Sequence, residues 1–396
     1  MVNSKKIAVV GGCGHVGLPL ALAFASVGNS VISFDISEDA VSRINSGIVP
    51  FVEEGALSVL QVALQSGLFT ATTDPEKLSE VDIVFIVIGT PVDEYLSPDP
   101  NLVVTTILNL RKYLRNDQLL ILRSTIFPGV TKRLEEIISI EIPGIEVVYC
   151  PERIIEGKAL SEIKTLPQII GASGDSQYNR AKEIFDLLSV DNIRTSPEEA
   201  ELAKLFTNVW RYIKFAAANQ FWMMSNDLGV DFENVRAAIT FDYPRAADLP
   251  KPGFAAGPCL FKDTMQLSAL VQQNFPLGSA AMMINEGTPG YLVNRLEQIY
   301  DLKSCTIGIL GMAFKAEVDD IRGSLSFKLR KLLQFKSKQV LITDPYVSDD
   351  RLFPLEYVLE HADILIIGAP HLVYSEIKTH KPVIDIWANF GRTVKI

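Results

Sequence analysis

Ile7-Ala8-Val9-Val10-Gly11-Gly12-Cys13-Gly14-His15-Val16-Gly17 is the stretch that decides the fold. Its apolar run reads as a buried strand, and Leu18 to Val27 reads as the helix that follows. Between them lies G-x-G-x-x-G. Gly12 permits the tight turn, Gly14 lets the backbone approach a pyrophosphate, and Gly17 allows close helix-strand packing. With His15 and Val16 lining the turn, the helix N-terminal amides face the phosphates. A second strand, Val31-Ile32-Ser33-Phe34, ends at Asp35. A carboxylate there accepts from ribose hydroxyls and repels a 2′-phosphate, so the expected cofactor is NAD rather than NADP.

Outward from this unit, further apolar runs alternate with amphipathic stretches. Asp82 to Ile88 closes in Gly89-Thr90-Pro91, Gln118 to Leu122 precedes Arg123-Ser124-Thr125, and Glu146 to Tyr149 precedes Pro151-Glu152-Arg153. The C-terminal hundred residues repeat the order. Thr306 to Leu310 ends in Gly311, Val340 to Thr343 ends in Asp344, ILIIGAP echoes IVFIVIGTP, and Val383 to Ile386 takes the place of a fourth strand. The expected fold class is α/β: two Rossmann-like, doubly wound parallel-sheet domains joined by a long central helix in an all-helical segment. That helix is expected from about Pro197 to Asp227, with Glu198 and Glu199 in its first turn. At roughly 45 Å it suits a dimer contact, with a buried core helix of a monomer as the alternative.

Composition excludes several classes. In 396 residues, 48% are hydrophobic and 21% charged, which rules out a disordered or collagenous chain. A net charge of −10 argues against a general nucleic-acid binder. The four cysteines, Cys13, Cys150, Cys259 and Cys305, lie far apart without metal-ligand spacing, so no metal is expected and the reducing cytoplasm is the simpler setting. No apolar run is long enough to span a bilayer. Lys5 and Lys6 before Leu18–Val27, with Ala23-Phe24-Ala25, imitate a signal peptide, but the glycine cluster between them suits strand-turn-helix better.

Gly253 to Asp263 (GFAAGPCLFKD) places Cys259 in a run of small residues with an acid four positions on, as in a tight, accessible turn; the other cysteines read as small buried residues. With this segment the chain resembles the nucleotide-sugar 6-dehydrogenases, the UDP-glucose and UDP-N-acetylhexosamine dehydrogenase family. The carriers are GGCGHVGLP, GTPVDE (Gly89–Glu94), STIFPG (Ser124–Gly129), PERIIEG (Pro151–Gly157), EAELAKLFTN (Glu199–Asn208), GPCLFKD (Gly257–Asp263), GMAFKAEVDDIR (Gly311–Arg322) and Asp344-Pro345-Tyr346. They run the length of the chain in order.

The resemblance implies NAD-dependent, four-electron oxidation of a UDP-sugar C6 alcohol to the acid. Cys259 is the implied nucleophile, passing through a thiohemiacetal and a thioester. Lys204 and Asn208, four apart on one helical face, are the implied oxyanion donors, although Lys204 could instead snorkel. Asp263, Glu152, Glu156 and Thr125 match positions that organise the hydrolytic water and proton transfer, without deciding which carboxylate is the base. Thr90, Pro91 and Thr125 join the cofactor set. Substrate contacts are implied for Glu152, Arg153, Lys204, Asn208, Gly257, Lys315 and Arg322; for the Lys315–Arg322 stretch a solvated lysine and a surface salt bridge are the alternative. Arg245 resembles an arginine that enters a neighbouring subunit's sugar site, which implies a homodimer; a solvated loop charge is the alternative. The expected division is 1–196 for NAD, 197–298 for the helical, dimerising and cysteine-bearing part, and 299–396 for the nucleotide sugar.

Some residues depart from the family pattern. Ala255 and Ala256 replace two glycines before the cysteine, Gln220 stands where glutamate is common, and Trp387 follows Asp385-Ile386 where arginine is common. Trp387 removes a cation and adds a stacking surface. Pro151-Glu152-Arg153 favours the N-acetylhexosamine branch, UDP-N-acetylmannosamine or UDP-N-acetylglucosamine, over UDP-glucose. A two-electron alcohol or hydroxyacid dehydrogenase and a non-catalytic NAD- and nucleotide-binding sensor are the more distant alternatives.

Overall fold

The computed structural model describes residues 5–93, 98–272 and 274–389, so Glu94 of the GTPVDE motif lies outside the described residues. The chain divides into two compact units, 1–207 and 208–396.

The first unit is built on an eight-stranded sheet of order β3-β2-β1-β4-β5-β6-β7-β8. Its strands are β1 (Lys6–Val10), β2 (Ser30–Phe34), β3 (Phe69–Thr72), β4 (Ile83–Ile86), β5 (Leu119–Leu122), β6 (Glu146–Tyr149), β7 (Gln168–Gly171) and β8 (Asn192–Thr195). β1 to β6 pair in parallel, as expected. β7 joins β6 antiparallel through Tyr149 and Gly171, and β8 runs parallel to β7. The apolar runs are explained by burial on both faces. Ile7, Val9, Phe85 and Ile121 face one apolar cluster, while Ala8, Val10, Val84 and Leu120 face the other.

The central helix, Pro197–Asp227, is one continuous element of 31 residues. Its first turns are fastened to the first unit by Glu201. The carboxylate of this buried residue accepts from Gly129 N (2.6 Å), Thr131 N (2.8 Å) and Thr131 Oγ1 (2.6 Å). It thereby satisfies the N-terminus of helix Val130–Glu141, whose cap residue Gly129 has no side chain to do so. Burial pushes the Glu201 carboxyl up, against these donors.

In the second unit a four-stranded parallel sheet has the order β10-β9-β11-β12. The strands are β9 (Thr306–Leu310), β10 (Gln339–Thr343), β11 (Ile364–Ile367) and β12 (Val383–Ile384). It is half the size of the first sheet, and its last strand stops before Asp385. The helices Phe232–Thr240, Leu260–Leu270 and Pro276–Ile299 precede it, so the segment between the sheets is helical as expected. Among the described residues, no helix is long and apolar enough to cross a membrane.

Candidate active site

In the first unit, the turn after β1 is made by Gly11, which takes φ +77° and which the motif spacing did not single out. Each motif glycine has a distinct environment. A Cβ on Gly12 would lie 2.2 Å from Ser33 Oγ, and one on Gly17 would lie 2.2 Å from Gly11 O. On Gly14 the nearest atom would be Gly11 O at 3.7 Å, so that face is open. Helix Gly17–Ser26 starts from Val16 without a side-chain cap. Asp35, half-buried at the end of β2, accepts from Cys13 N (3.1 Å) and Ser37 N (3.1 Å). An open glycine turn, an uncapped helix start and a carboxylate at the next strand end fit a dinucleotide.

His15 does more than line this turn. Its ring stacks on Phe51 at 4.2 Å, and Nε2 lies 3.4 Å from Glu156 Oε1. The Phe51 segment is in turn bound to the loop after β6, through Glu54 N to Gly157 O (3.1 Å) and Leu160 N to Glu53 Oε1 (3.0 Å). Thr90 and Thr125 also meet: Thr90 Oγ1 donates to Thr125 O at 2.8 Å. Pro91 beside them is exposed.

Glu152 is buried and fully engaged. One oxygen accepts from Arg153 N (2.7 Å) and Ile154 N (3.0 Å), the other from the Arg123 guanidinium. Burial alone would push this carboxyl up, but the Arg123 charge and the hydrogen bonds outweigh it and hold the group below its ordinary value. Arg123, 3% exposed, also donates to Gln168 Oε1 at 2.9 Å. Its signal in the sequence was a cation directly after a wholly apolar strand. Arg153 donates to the Pro167 carbonyl. These contacts make the Glu152 carboxylate a strut of its own loop.

On the central helix Lys204 and Asn208 follow one turn apart, 8% and 5% exposed. Lys204 has no carboxylate within ion-pair distance among the described residues.

In the second unit, Asn208 Nδ2 donates to Asp263 Oδ2 at 2.5 Å. Asp263 is wholly buried, with Lys262 Nζ 3.4 Å from its Oδ1. It lies in the first turn of helix Leu260–Leu270, and its N–H donates to Cys259 O at 2.9 Å. Cys259 is therefore the N-cap residue of that helix, and it is exposed, whereas Cys13 and Cys150 are buried. Burial, with the Asp35 charge adding to it, pushes the Cys13 thiol up to about 12; burial does the same to Cys150 against the opposing Arg123 charge. Helix N-terminal amides favour an anion, so Cys259 holds the position where a thiolate is stabilised.

The residues before Cys259 are tightly held. Gly257 takes φ +103°, and a Cβ there would lie 2.6 Å from the Phe314 ring. Ala255 is buried with Tyr212, Ala216 and Leu260. Lys315 lies 5.8 Å from the Phe314 ring centroid. Arg322 is forked onto Asp320, with Nε and Nη2 at 2.8 and 2.6 Å from Oδ2. Arg245 is exposed and folds over its neighbour Tyr243, Nε to hydroxyl 2.8 Å. Trp387 is packed against the protein: its Nε1 donates to Ile367 O at 3.1 Å.

Comparison with known proteins places these residues in context. Three domain models of the UDP-glucose/GDP-mannose dehydrogenase family match: the NAD binding domain over 5–189, the central domain over 198–287 and the UDP binding domain over 308–391. The chain is 31% identical to the UDP-N-acetyl-D-mannosamine dehydrogenase of Methanocaldococcus jannaschii over 93% of this chain and 86% of that one. It is 29% identical to the enzyme of that name from Pyrococcus horikoshii, over 98% and 93%. Among solved structures, a UDP-glucose dehydrogenase from Pyrobaculum islandicum aligns with a TM-score of 0.89 at 26% identity, covering 97% of this chain and 94% of that one.

Proposed function

Because the chain belongs to the UDP-glucose/GDP-mannose dehydrogenase family, and is therefore an NAD-dependent oxidoreductase with a nucleotide-sugar substrate, we propose that it oxidises the C6 hydroxymethyl of UDP-N-acetylmannosamine or UDP-N-acetylglucosamine to the uronic acid. The observation that carries this reading is the exposed Cys259 at a helix N-terminus, with the buried Asp263–Asn208 pair one turn behind it. NAD supplies the hydride acceptor for each of two oxidations, first alcohol to aldehyde and then thiohemiacetal to thioester.

The chain's own groups supply the rest. The Cys259 thiolate adds to the C6 aldehyde, forming a carbon–sulfur bond while the carbonyl oxygen takes up a proton to give the thiohemiacetal. After the second oxidation, water adds to the thioester, the carbon–sulfur bond breaks, and the acid and the Cys259 thiolate are released. Lys204 and Asn208 are the donors that stabilise the oxyanion at C6. Asp263 is the base for the water, because Oδ1 accepts no hydrogen bond among the described residues while both oxygens of Glu152 are occupied. Glu156 and Thr125 assist proton transfer and cofactor placement beside His15 and Thr90. Lys315 and Arg322 bind the substrate phosphates, Arg322 by exchanging its Asp320 partner for the ligand, and Arg153 orients the loop that meets the sugar. The helical segment 197–298 joins two copies, and Arg245 completes the neighbour's sugar site. The reaction runs in the cytoplasm, where a reducing environment keeps the thiol available.

UDP-glucose is the second reading, supported by the structural likeness to the Pyrobaculum islandicum enzyme. Purified protein is assayed with UDP-glucose, UDP-N-acetylglucosamine and UDP-N-acetylmannosamine, counting NADH per sugar consumed. Two per sugar with an N-acetylhexosamine is the expected result. One per sugar, with aldehyde or ketone accumulating, refutes the four-electron scheme.

A further inference from the structure

The loop that delivers Cys259 begins at Gly253 and is gripped from two sides within the second unit. On one side Gly253 N donates to Asn219 Oδ1 of the central helix at 2.8 Å. Asn219 is itself fixed by Asn285 (2.9 Å), which donates to Tyr212 O (3.0 Å). On the other side lies the indole of Trp387: a Cβ on Gly253 would sit 2.2 Å from Cε3 and Cζ3. The buried Phe254 meets the same indole edge-on, with centroids 6.1 Å apart.

Trp387 is as firmly held as the loop it covers. Its Nε1 donates to Ile367 O at the end of β11, and its N–H to Asp385 Oδ1 at 3.0 Å. Ala388 beyond it takes the left-handed φ of +54°, and its carbonyl receives Lys251 Nζ at 3.5 Å. Two links thus run from the end of β12 to the two sides of Gly253.

We infer that Trp387 is a positioning residue for the nucleophile: its indole fixes the Gly253–Phe254 turn and so sets where the Cys259 thiol stands relative to the aldehyde. The inference rests on Cys259 acting covalently. Only the second oxidation passes through the thiol, so a displaced loop penalises that step selectively. A role confined to folding would lower the active fraction and scale both oxidations together.

The test uses the full chain with Trp387→Leu, Trp387→Phe and Cys259→Ser, followed by thermal melting, NADH per sugar, aldehyde trapping by hydroxylamine, and the rate of Cys259 alkylation. For Trp387→Leu, a shift of the order of 1 Å lowers kcat for acid formation by roughly 10- to 100-fold. NADH per sugar moves from two toward one, trapped aldehyde appears, the alkylation rate changes, and KM is little altered. Trp387→Phe keeps the ring and restores most of the rate. A folded Trp387→Leu protein with unchanged kcat and stoichiometry overturns the inference, as does an equal loss in both oxidations. Should the leucine variant not fold, Trp387→Phe is judged on the same partition, and unchanged partition and alkylation overturn the inference. Acid formation by Cys259→Ser at the unsubstituted rate sinks the covalent reading itself; its loss there, with Trp387 variants unaffected, sinks only the positioning role.

Discussion

Asn208→Ala and Asp263→Asn separate what the buried pair does for stability from what it does for chemistry. In the folded chain Asn208 Nδ2 donates to the carboxylate at 2.5 Å, and Asp263 is wholly buried. Removing the donor leaves a buried oxygen with no replacement, and a hydrogen bond to a charged group contributes about 1.5–3 kcal/mol. Lys262, 3.4 Å from the other oxygen, offsets part of this loss. Asn208→Ala is therefore expected to cost about 2 kcal/mol. For a unit of this size that lowers the melting temperature by roughly 4–8 °C. Asp263→Asn behaves differently. Its amide oxygen still accepts from Asn208, the contact given up is the 3.4 Å pair with Lys262, and the loss should stay under about 1 kcal/mol. Turnover to acid nevertheless falls by about 100-fold or more, because the proposed base is gone. Thermal melts without ligand, paired with acid formation well below both transitions, give the two readouts. Equal melting shifts for the two variants, or an Asn208→Ala melt within about 1 °C of the unsubstituted protein, would refute the reasoning.

The two glycines that frame the cofactor turn predict different stability effects. Gly17→Ala drives a Cβ to 2.2 Å from Gly11 O, a backbone atom that cannot swing aside, so it should cost about 1–3 kcal/mol and raise the KM for NAD. Gly14→Ala meets nothing closer than 3.7 Å; its melt should be unchanged while NAD binding, followed by titration, still weakens. In the second unit, burial pushes the Asp344 carboxyl up, but His371 and the N–H groups of Ala313 and Tyr346 outweigh it and bring it down to about 2. A depressed carboxyl stabilises the fold above its unfolded value near 4 and loses that contribution as pH falls through about 2. Acid unfolding of Asp344→Asn, followed by circular dichroism, should lack this dependence, worth on the order of 2 kcal/mol; identical acid curves count against it. Finally, inactive Arg245→Leu and Cys259→Ser proteins, mixed and allowed to exchange subunits, should recover activity if Arg245 acts across a dimer, and no recovery removes that role.

The parts of the fold legible in the sequence are those whose burial leaves an unbroken apolar run. β1, β4 and β5 lie at the sheet centre, touched on both faces, and their sequences read as strands without help. β3 and β8 went unread for the complementary reason, whereas β7 is wholly buried but its apolar part is only Ile169 and Ile170. Phe69–Thr72 alternates buried and more accessible residues over only four positions, Asn192–Thr195 is largely accessible, and β7 enters the sheet antiparallel through a single pair. Four residues without an unbroken apolar run are too few to separate a strand from a loop by periodicity. The central helix was legible because its apolar pattern runs through 31 residues from a cluster of acids at its start. Of the candidate site, the residue types were visible but not their partners. The helix that starts after Cys259 follows a run of glycine, alanine and proline, so the cysteine read as part of a turn; Asp263 in the next turn was the available N-terminal signal. The engagement of Glu152 by Arg123, and of His15 by Phe51 and Glu156, depends on chain crossings that spacing does not encode.

The echo between the two sheets is one turn built in two ways. After β1 the turn receives one contact from the acid at the next strand's end, Asp35 to Cys13 N, and Gly14 keeps one face open. After β9 the corresponding acid, Asp344, closes the turn from within. One oxygen accepts from Met312 N (2.7 Å) and Ala313 N (2.9 Å), the other from Tyr346 N (2.9 Å) and Val347 N (3.0 Å). His371 completes the closure: Nδ1 accepts from Glu317 N at 3.0 Å, so Nε2 carries its hydrogen toward Asp344 at 3.1 Å. With amides and a carboxylate already matched, this turn has no excess positive charge to offer a pyrophosphate, in contrast to an open helix start. The cations next along the chain from the closed turn are Lys315 and Arg322, the side chains proposed above to bind the substrate phosphates. On the proposed assignment of Lys315 and Arg322 to the substrate phosphates, the first unit would meet phosphate with backbone amides and the second with side chains.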